Sequence, residues 1–239
     1  MTKRIVNISL RKAAIVAGFG LLTMTIFAIY AYFFVRPSLI VPGDVTTTAN
    51  NIMANELLFR SSIVSWLIVL MCDVVVAWAL YVLLKPVNKS LSLLAAWFRL
   101  VYTTIHGIAL LNLIFVLQLL SGADYLTVFE TDQLHALVLL FLNGYNYGSL
   151  IGLVFFGFHL FVLGYLVFKS DYIPRIIGVL LIIASFGYLI ENFGNVLLPN
   201  YANYEAIIQM VFIVPMFIGE LSLCFWLLLK GAKIPEMKS

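Results

Sequence analysis

The chain has 239 residues, 63% hydrophobic and 10% charged, with a net charge of +3 and a mean hydropathy of +1.07. Soluble domains average about 45–50% apolar and about 25% charged residues, so this chain lacks the polar surface to fold in water alone, and lipid must solvate much of it. No basic run or aromatic-interleaved patch marks a nucleic-acid partner, and Cys72 and Cys224 form no CxxC or metal-type spacing and read as small buried hydrophobes.

Lys3, Arg4, Arg11 and Lys12 precede an apolar run from Ala13 to Val35. The apolar core of a cleaved signal peptide is about 7–15 residues and ends in small residues. This run is longer and ends in Arg36-Pro37, so it is expected to stay as a helix. Spanning a bilayer takes about 20 apolar residues at about 1.5 Å each. Six stretches qualify, at roughly 13–35, 61–84, 91–120, 146–168, 174–198 and 206–229. The third is long enough to tilt or project.

Between the first two spans, Pro42-Gly43-Asp44 reads as a turn followed by a helix N-cap, with a short helix over 45–58. Ahead of the fourth span the apolar pattern already begins near Leu134, and Asn143-Gly144-Tyr145-Asn146-Tyr147-Gly148 interrupts it. Residues 132–142 are therefore expected as a shallow interfacial helix, with the span starting near Asn146. Gly144, Gly148 and Gly152 share the spacing that lets a neighbouring helix approach closely.

With the N-terminus inside, 11 of the 14 Lys and Arg fall on the inner side, Arg36 and Arg60 fall outside, and Arg99 lies within a span. The positive-inside rule then puts both termini in the cytoplasm. The expected fold is all-α, a six-helix membrane bundle in one domain over 1–239, with short helices on the outer face.

A charge at the bilayer centre costs at least about 2.5–3.5 kcal/mol on insertion scales, so ionisable residues there need a reason. They are Asp73, Arg99, His106, His159, Glu191 and Glu220. Counting from the inner helix ends at about 1.5 Å per residue, Asp73, Arg99, His159 and Glu220 lie about 12–16 Å deep, and His106 and Glu191 about 22–25 Å. Arg99, Tyr102, Thr103, His106 and Gly107 form one helical stripe. Glu220 and Gln209, eleven apart, share another face. Arg99 cannot neutralise itself and calls for a carboxylate partner, for which Asp73 is the candidate. Glu220 and Glu191 are left with the two histidines. The candidate ligand- or ion-binding set is thus Asp73, Arg99, His106, His159 and Glu220.

Several readings of that set stay open: a site for a small molecule or ion, glue between the helices of a non-catalytic membrane scaffold or accessory subunit that serves a partner, or a metal-dependent hydrolase centre on His159, Asp73 and Glu220. No HExxH occurs, and neither a metal nor another cofactor is specified by any motif. No nucleophilic Ser or Cys motif occurs, so no catalytic residue is assigned.

Val41-Pro42-Gly43-Asp44, Phe59-Arg60, Leu84-Lys85-Pro86-Val87-Asn88, Phe98-Arg99-Leu100, Ser121-Gly122-Ala123-Asp124-Tyr125, the block from Gly152 to Leu160 containing His159, Gly164-Tyr165-Leu166 and Pro174-Arg175-Ile176-Ile177-Gly178 occur in this order. In combination they resemble the prokaryotic membrane family called domain of unknown function 4386, from about Arg11 to Lys230. The resemblance implies the multi-pass fold and a prokaryotic plasma membrane. It carries over no functional residue.

Overall fold

In lipid every backbone N–H and C=O must be paired within the chain, which for long apolar runs means helix. The computed structural model describes residues 9–233, apart from the side chains at 202, 205, 206, 209 and 213. Among them it has helices and turns and no strand. The helices are α1 Leu10–Leu39, α2 Val45–Ala54, α3 Glu56–Leu84, α4 Lys89–Leu119, α5 Thr131–Lys169, α6 Arg175–Leu197 and α7 Ala202–Lys230. All but α2 are long and apolar enough to cross a membrane. Their outward faces agree. Phe19, Met71, Ile108, Leu140 and Ile176 are each about 60% exposed, a wide spread of large apolar side chains that suits lipid and not water. This is a six-span, multi-pass membrane protein in contact with the bilayer.

Several boundaries differ from the sequence reading, two of them with consequences for packing. α1 continues past Arg36-Pro37 to Leu39 through a π-helical turn, Tyr30–Val35, in which Arg36 N–H bonds Ala31 O. Pro37 has no N–H, and its ring would crowd the carbonyl four residues back; a wider turn relieves that clash without ending the helix. α5 runs unbroken from Thr131 to Lys169, 39 residues, so there is no separate helix at 132–142. The polar, glycine-containing stretch at 143–148 is a contact surface instead. A Cβ on Gly148 would sit 2.7 Å from the Ala109 Cβ, and one on Gly144 2.7 Å from Asn112 Oδ1, so α4 packs where α5 has no side chains. Asp44 caps α2 as expected, and Gly43 supplies the left-handed turn before it (φ 80°). α2 ends at Ala54, short of 58.

The chain divides into two compact units, each drawing on several helices. One comprises residues 1–22, 72–102 and 153–239. In it, glycines bring α5 and α6 into backbone contact: a Cβ at Gly164 would meet Gly178 O at 2.8 Å, and one at Gly178 would meet Phe168 N at 2.6 Å. The Gly164 and Pro174–Gly178 blocks of the sequence are thus the two sides of one helix crossing. Ser92 Oγ donates to Tyr81 O at 3.0 Å, and Tyr172 Oη donates to Leu83 O, a carbonyl in the last turn of α3 that the helix cannot pair itself. Burial, and secondarily the neighbouring Asp171, pushes the Tyr172 phenol up to about 12. The other unit comprises residues 23–71 and 103–152, with a core that includes Leu39, Ile52, Phe59, Val116, Val138 and Tyr145.

Candidate functional site

The ionisable residues of the spans separate between the two units. Asp73, Arg99, His159 and Glu220 belong to the first, and His106 to the second.

In the first unit, α3 carries Asp73, α4 carries Arg99 and α5 carries His159, and the three are 0%, 1% and 1% exposed. Arg99 Nη2 lies 2.7 Å from Asp73 Oδ1, and Arg99 Nε donates to the same oxygen at 2.8 Å. A guanidinium has five N–H donors, more than one carboxylate oxygen can take. Arg99 Nη1 turns to His159 Nε2 at 3.1 Å. Since arginine only donates, Nε2 must accept, so the imidazole proton is on Nδ1. Nδ1–H donates to Ala95 O at 2.8 Å, the carbonyl one helical turn before Arg99. His159 therefore engages both the side chain and the backbone of one turn of α4. The Arg99 guanidinium also lies 5.5 Å from the centroid of the Phe156 ring.

Phe156 stands three residues before His159 on the same face of α5 and contacts Tyr102, His159 and Tyr188, at ring separations of 4.9, 5.6 and 5.2 Å. Tyr188 Oη on α6 donates to Glu220 Oε1 on α7 at 3.2 Å. Glu220 thus pairs with a tyrosine, and His159 with an arginine, where the sequence reading had set the glutamates against the histidines. The reason is donor count: the guanidinium absorbs the acceptor capacity of His159, and Glu220 takes the phenol at hand. Glu191 is only half-buried, and its backbone carbonyl accepts from Asn195 Nδ2 at 3.5 Å. Gln209, expected on the Glu220 face, lies outside the described side chains. Among the described residues no three His, Cys, Asp or Glu side chains stand close enough to hold a metal ion. Both nitrogens of His159 already have partners. Asp73 Oδ2 is buried and makes no hydrogen bond among the described residues.

In the second unit, His106 packs against Trp66 of α3 and Tyr145 of α5, with ring centroids 4.9 and 5.7 Å apart. Tyr145 Oη lies 3.5 Å from His106 Nε2. Trp66 and Tyr145 in turn line a cavity of about 330 Å³ whose wall comes from α1, the 40–44 turn, α2, α3, α4 and α5. Its wall includes the π-helical turn of α1, through Ala31, Tyr32 and Val35. Such turns often mark functional sites. Arg36 and Asp44 are its charged members, and Asn143 and Asn146 contribute amides. The Asp44 carboxylate is committed: Oδ1 accepts from Thr47 N at 2.9 Å and Oδ2 from Thr47 Oγ1 at 2.6 Å. These bonds hold its carboxyl below the usual value. Sequence reasoning gave no sign of this cavity, because its wall comes from five helices with no shared motif.

The chain is 36% identical over 178 residues to a protein of Archaeoglobus fulgidus described as an uncharacterized protein, covering 74% of this chain and 88% of that one. No solved structure matches it. Residues 16–231, which take in all six spans save the ends of the first and last, match the family described as domain of unknown function (DUF4386), and the chain belongs to that family.

Proposed function

We propose that the protein is a non-catalytic, small-ligand-binding protein of the prokaryotic cell membrane, transporter-like or sensor-like, and that its ligand occupies the cavity of the second unit. One observation carries this reading: a cavity of about 330 Å³ is walled by aromatic rings, a π-helical turn and a few polar groups. That is the size and composition of a small-molecule pocket, which spans about 300–1,000 Å³ and is mostly apolar with a few convergent polar groups. His106 serves it from behind by fixing Trp66 and Tyr145. Asp73, Arg99 and His159 serve as the lock that joins α3, α4 and α5, since all three are buried and mutually bonded.

Bromobenzene is a suitable probe, because its heavy atom quenches tryptophan. Saturable quenching of the full chain in lipid nanodiscs, lost in Trp66→Phe and in the cavity-filling Leu139→Trp, is the expected result. Quenching that is unsaturable, or that survives both changes, overturns the reading.

A second reading has its own support. Among the described residues Asp73 Oδ2 is a buried carboxylate oxygen with no hydrogen-bond partner, an open seat for a proton beside Arg99. In that reading Asp73, Arg99, His159 and Glu220 exchange protons with the ligand's passage. Proton uptake on ligand addition, abolished by Glu220→Gln in a protein that still folds, is its signature; ligand binding without uptake removes it.

The Lys and Arg distribution supports cytoplasmic termini. Cysteines introduced at Lys89 and Tyr125 test the orientation. A membrane-impermeant maleimide applied to intact cells should label position 125 and not 89.

A further inference from the structure

We infer that the cavity takes a small aromatic monocarboxylate, with its ring against Trp66 and Tyr145 and its carboxylate on Arg36. The inference rests on the cavity being a ligand site, and it adds the class of ligand.

Size comes first. A cavity of about 330 Å³ lies at the small end of the range for small-molecule pockets, about 300–1,000 Å³. That suits a single ring with a short substituent.

The rings come second. Tyr32, Phe59, Trp66 and Tyr145 all face the cavity. Two of them are set in place before any ligand arrives: His106 contacts both Trp66 and Tyr145, and Tyr145 is 9% exposed. Pre-set aromatic walls favour an aromatic guest, which stacks offset or edge-on at little conformational cost.

Charge decides the rest. The wall has one cation and one anion, and they are not equally available. Asp44 spends both carboxylate oxygens on Thr47 and sits at the N-terminus of α2, where its charge is offset by the helix. Arg36 makes no ion pair among the described residues. Arg36 is half-buried at the end of the π-helical turn, and its guanidinium lies 5.5 Å from the Tyr32 centroid. A planar fork held against a ring matches a carboxylate with two parallel hydrogen bonds. The same contact argues against a cationic guest. Aromatic cages bind quaternary ammonium by their ring faces, but here Arg36 already holds the Tyr32 face and would repel the guest.

The test uses three ligands of similar size on the full chain in nanodiscs, read by Trp66 fluorescence: phenylacetate, its neutral isostere phenylacetamide, and benzyltrimethylammonium. Phenylacetate should bind at least ten-fold more tightly than phenylacetamide, about 1.4 kcal/mol. Arg36→Gln should bring the two to equal affinity and leave phenylacetamide unchanged, while Arg36→Lys should keep a preference for the anion. Unchanged phenylacetamide binding also reports that the Arg36→Gln protein is folded. If phenylacetamide or the ammonium binds as tightly as phenylacetate, or if the preference survives Arg36→Gln, the ligand class is wrong and the cavity reading stands. If bromobenzene and all three ligands fail to bind, the cavity reading falls and takes this inference with it.

Discussion

Asp73→Asn and Arg99→Met, separately and together, probe how the first unit is held. In the native protein Arg99 gives two N–H bonds to Asp73 Oδ1, at 2.7 and 2.8 Å, and both residues are at most 1% exposed. Asp73→Asn leaves a buried guanidinium without its carboxylate, beside His159 and the Phe156 ring. Removing one partner of a buried pair costs about 3–5 kcal/mol, and arginine has no route to neutrality, so this variant should lie at the upper end. Arg99→Met leaves a carboxyl that can take up a proton, and a methionine of similar length that fills the space; His159 Nε2 loses its donor. The expected loss is smaller, about 2–3 kcal/mol, mostly the unsatisfied hydrogen bonds. The double variant has no buried charge. It should be milder than Asp73→Asn alone, giving a coupling of at least about 2 kcal/mol between neighbours. Equilibrium unfolding in mixed micelles with rising denaturing detergent measures all four proteins. Additivity within about 0.5 kcal/mol, as found for independent sites, would refute the claim that this pair fastens α3 to α4. A double variant no milder than either single one would do the same.

Two further outcomes follow from packing and capping. Gly178→Ala should destabilise the α5–α6 crossing by about 1–3 kcal/mol, because its Cβ would stand 2.6 Å from Phe168 N, and backbone cannot rotate aside; a neutral result in the same unfolding assay would show that the helices separate freely. Asp44 has a lowered folded value, from Thr47 bonds first, so its capping of α2 is present above the usual carboxyl value of 3.8 and lost as pH falls through the lower folded value. Amide-exchange protection in 45–54, measured against the intrinsic rate at each pH, should therefore fall in acid in the native protein and stay level in Asp44→Asn, which keeps an acceptor without the titration; an equal fall in both would remove Asp44 as the cause.

The relation between sequence and site differs from residue to residue. Six spans are legible because lipid permits only helix over such apolar runs, and the family blocks from Val41 to Gly178 point to the same fold. Asp73, Arg99 and His159 could be singled out because a charge in a span is conspicuous against its neighbours. Phe156 and Tyr188 could not, although they link Arg99 to Glu220. An aromatic residue in an apolar helix looks the same whether it faces lipid or a guanidinium. The spacing of Phe156 to His159 was the one available hint. The 143–148 stretch misled for a related reason: glycine and asparagine weaken an isolated helix, but against Asn112 and Ala109 they are what lets α5 continue.

The sequence alone determined composition, the number of spans and the list of costly charges, since each follows from transferring individual side chains between water and lipid. Tertiary structure decided which charges meet and where space remains. His106 falls with Trp66 and Tyr145. Such choices depend on helix rotation and on the fit of side chains from several helices at once, and no single segment encodes them.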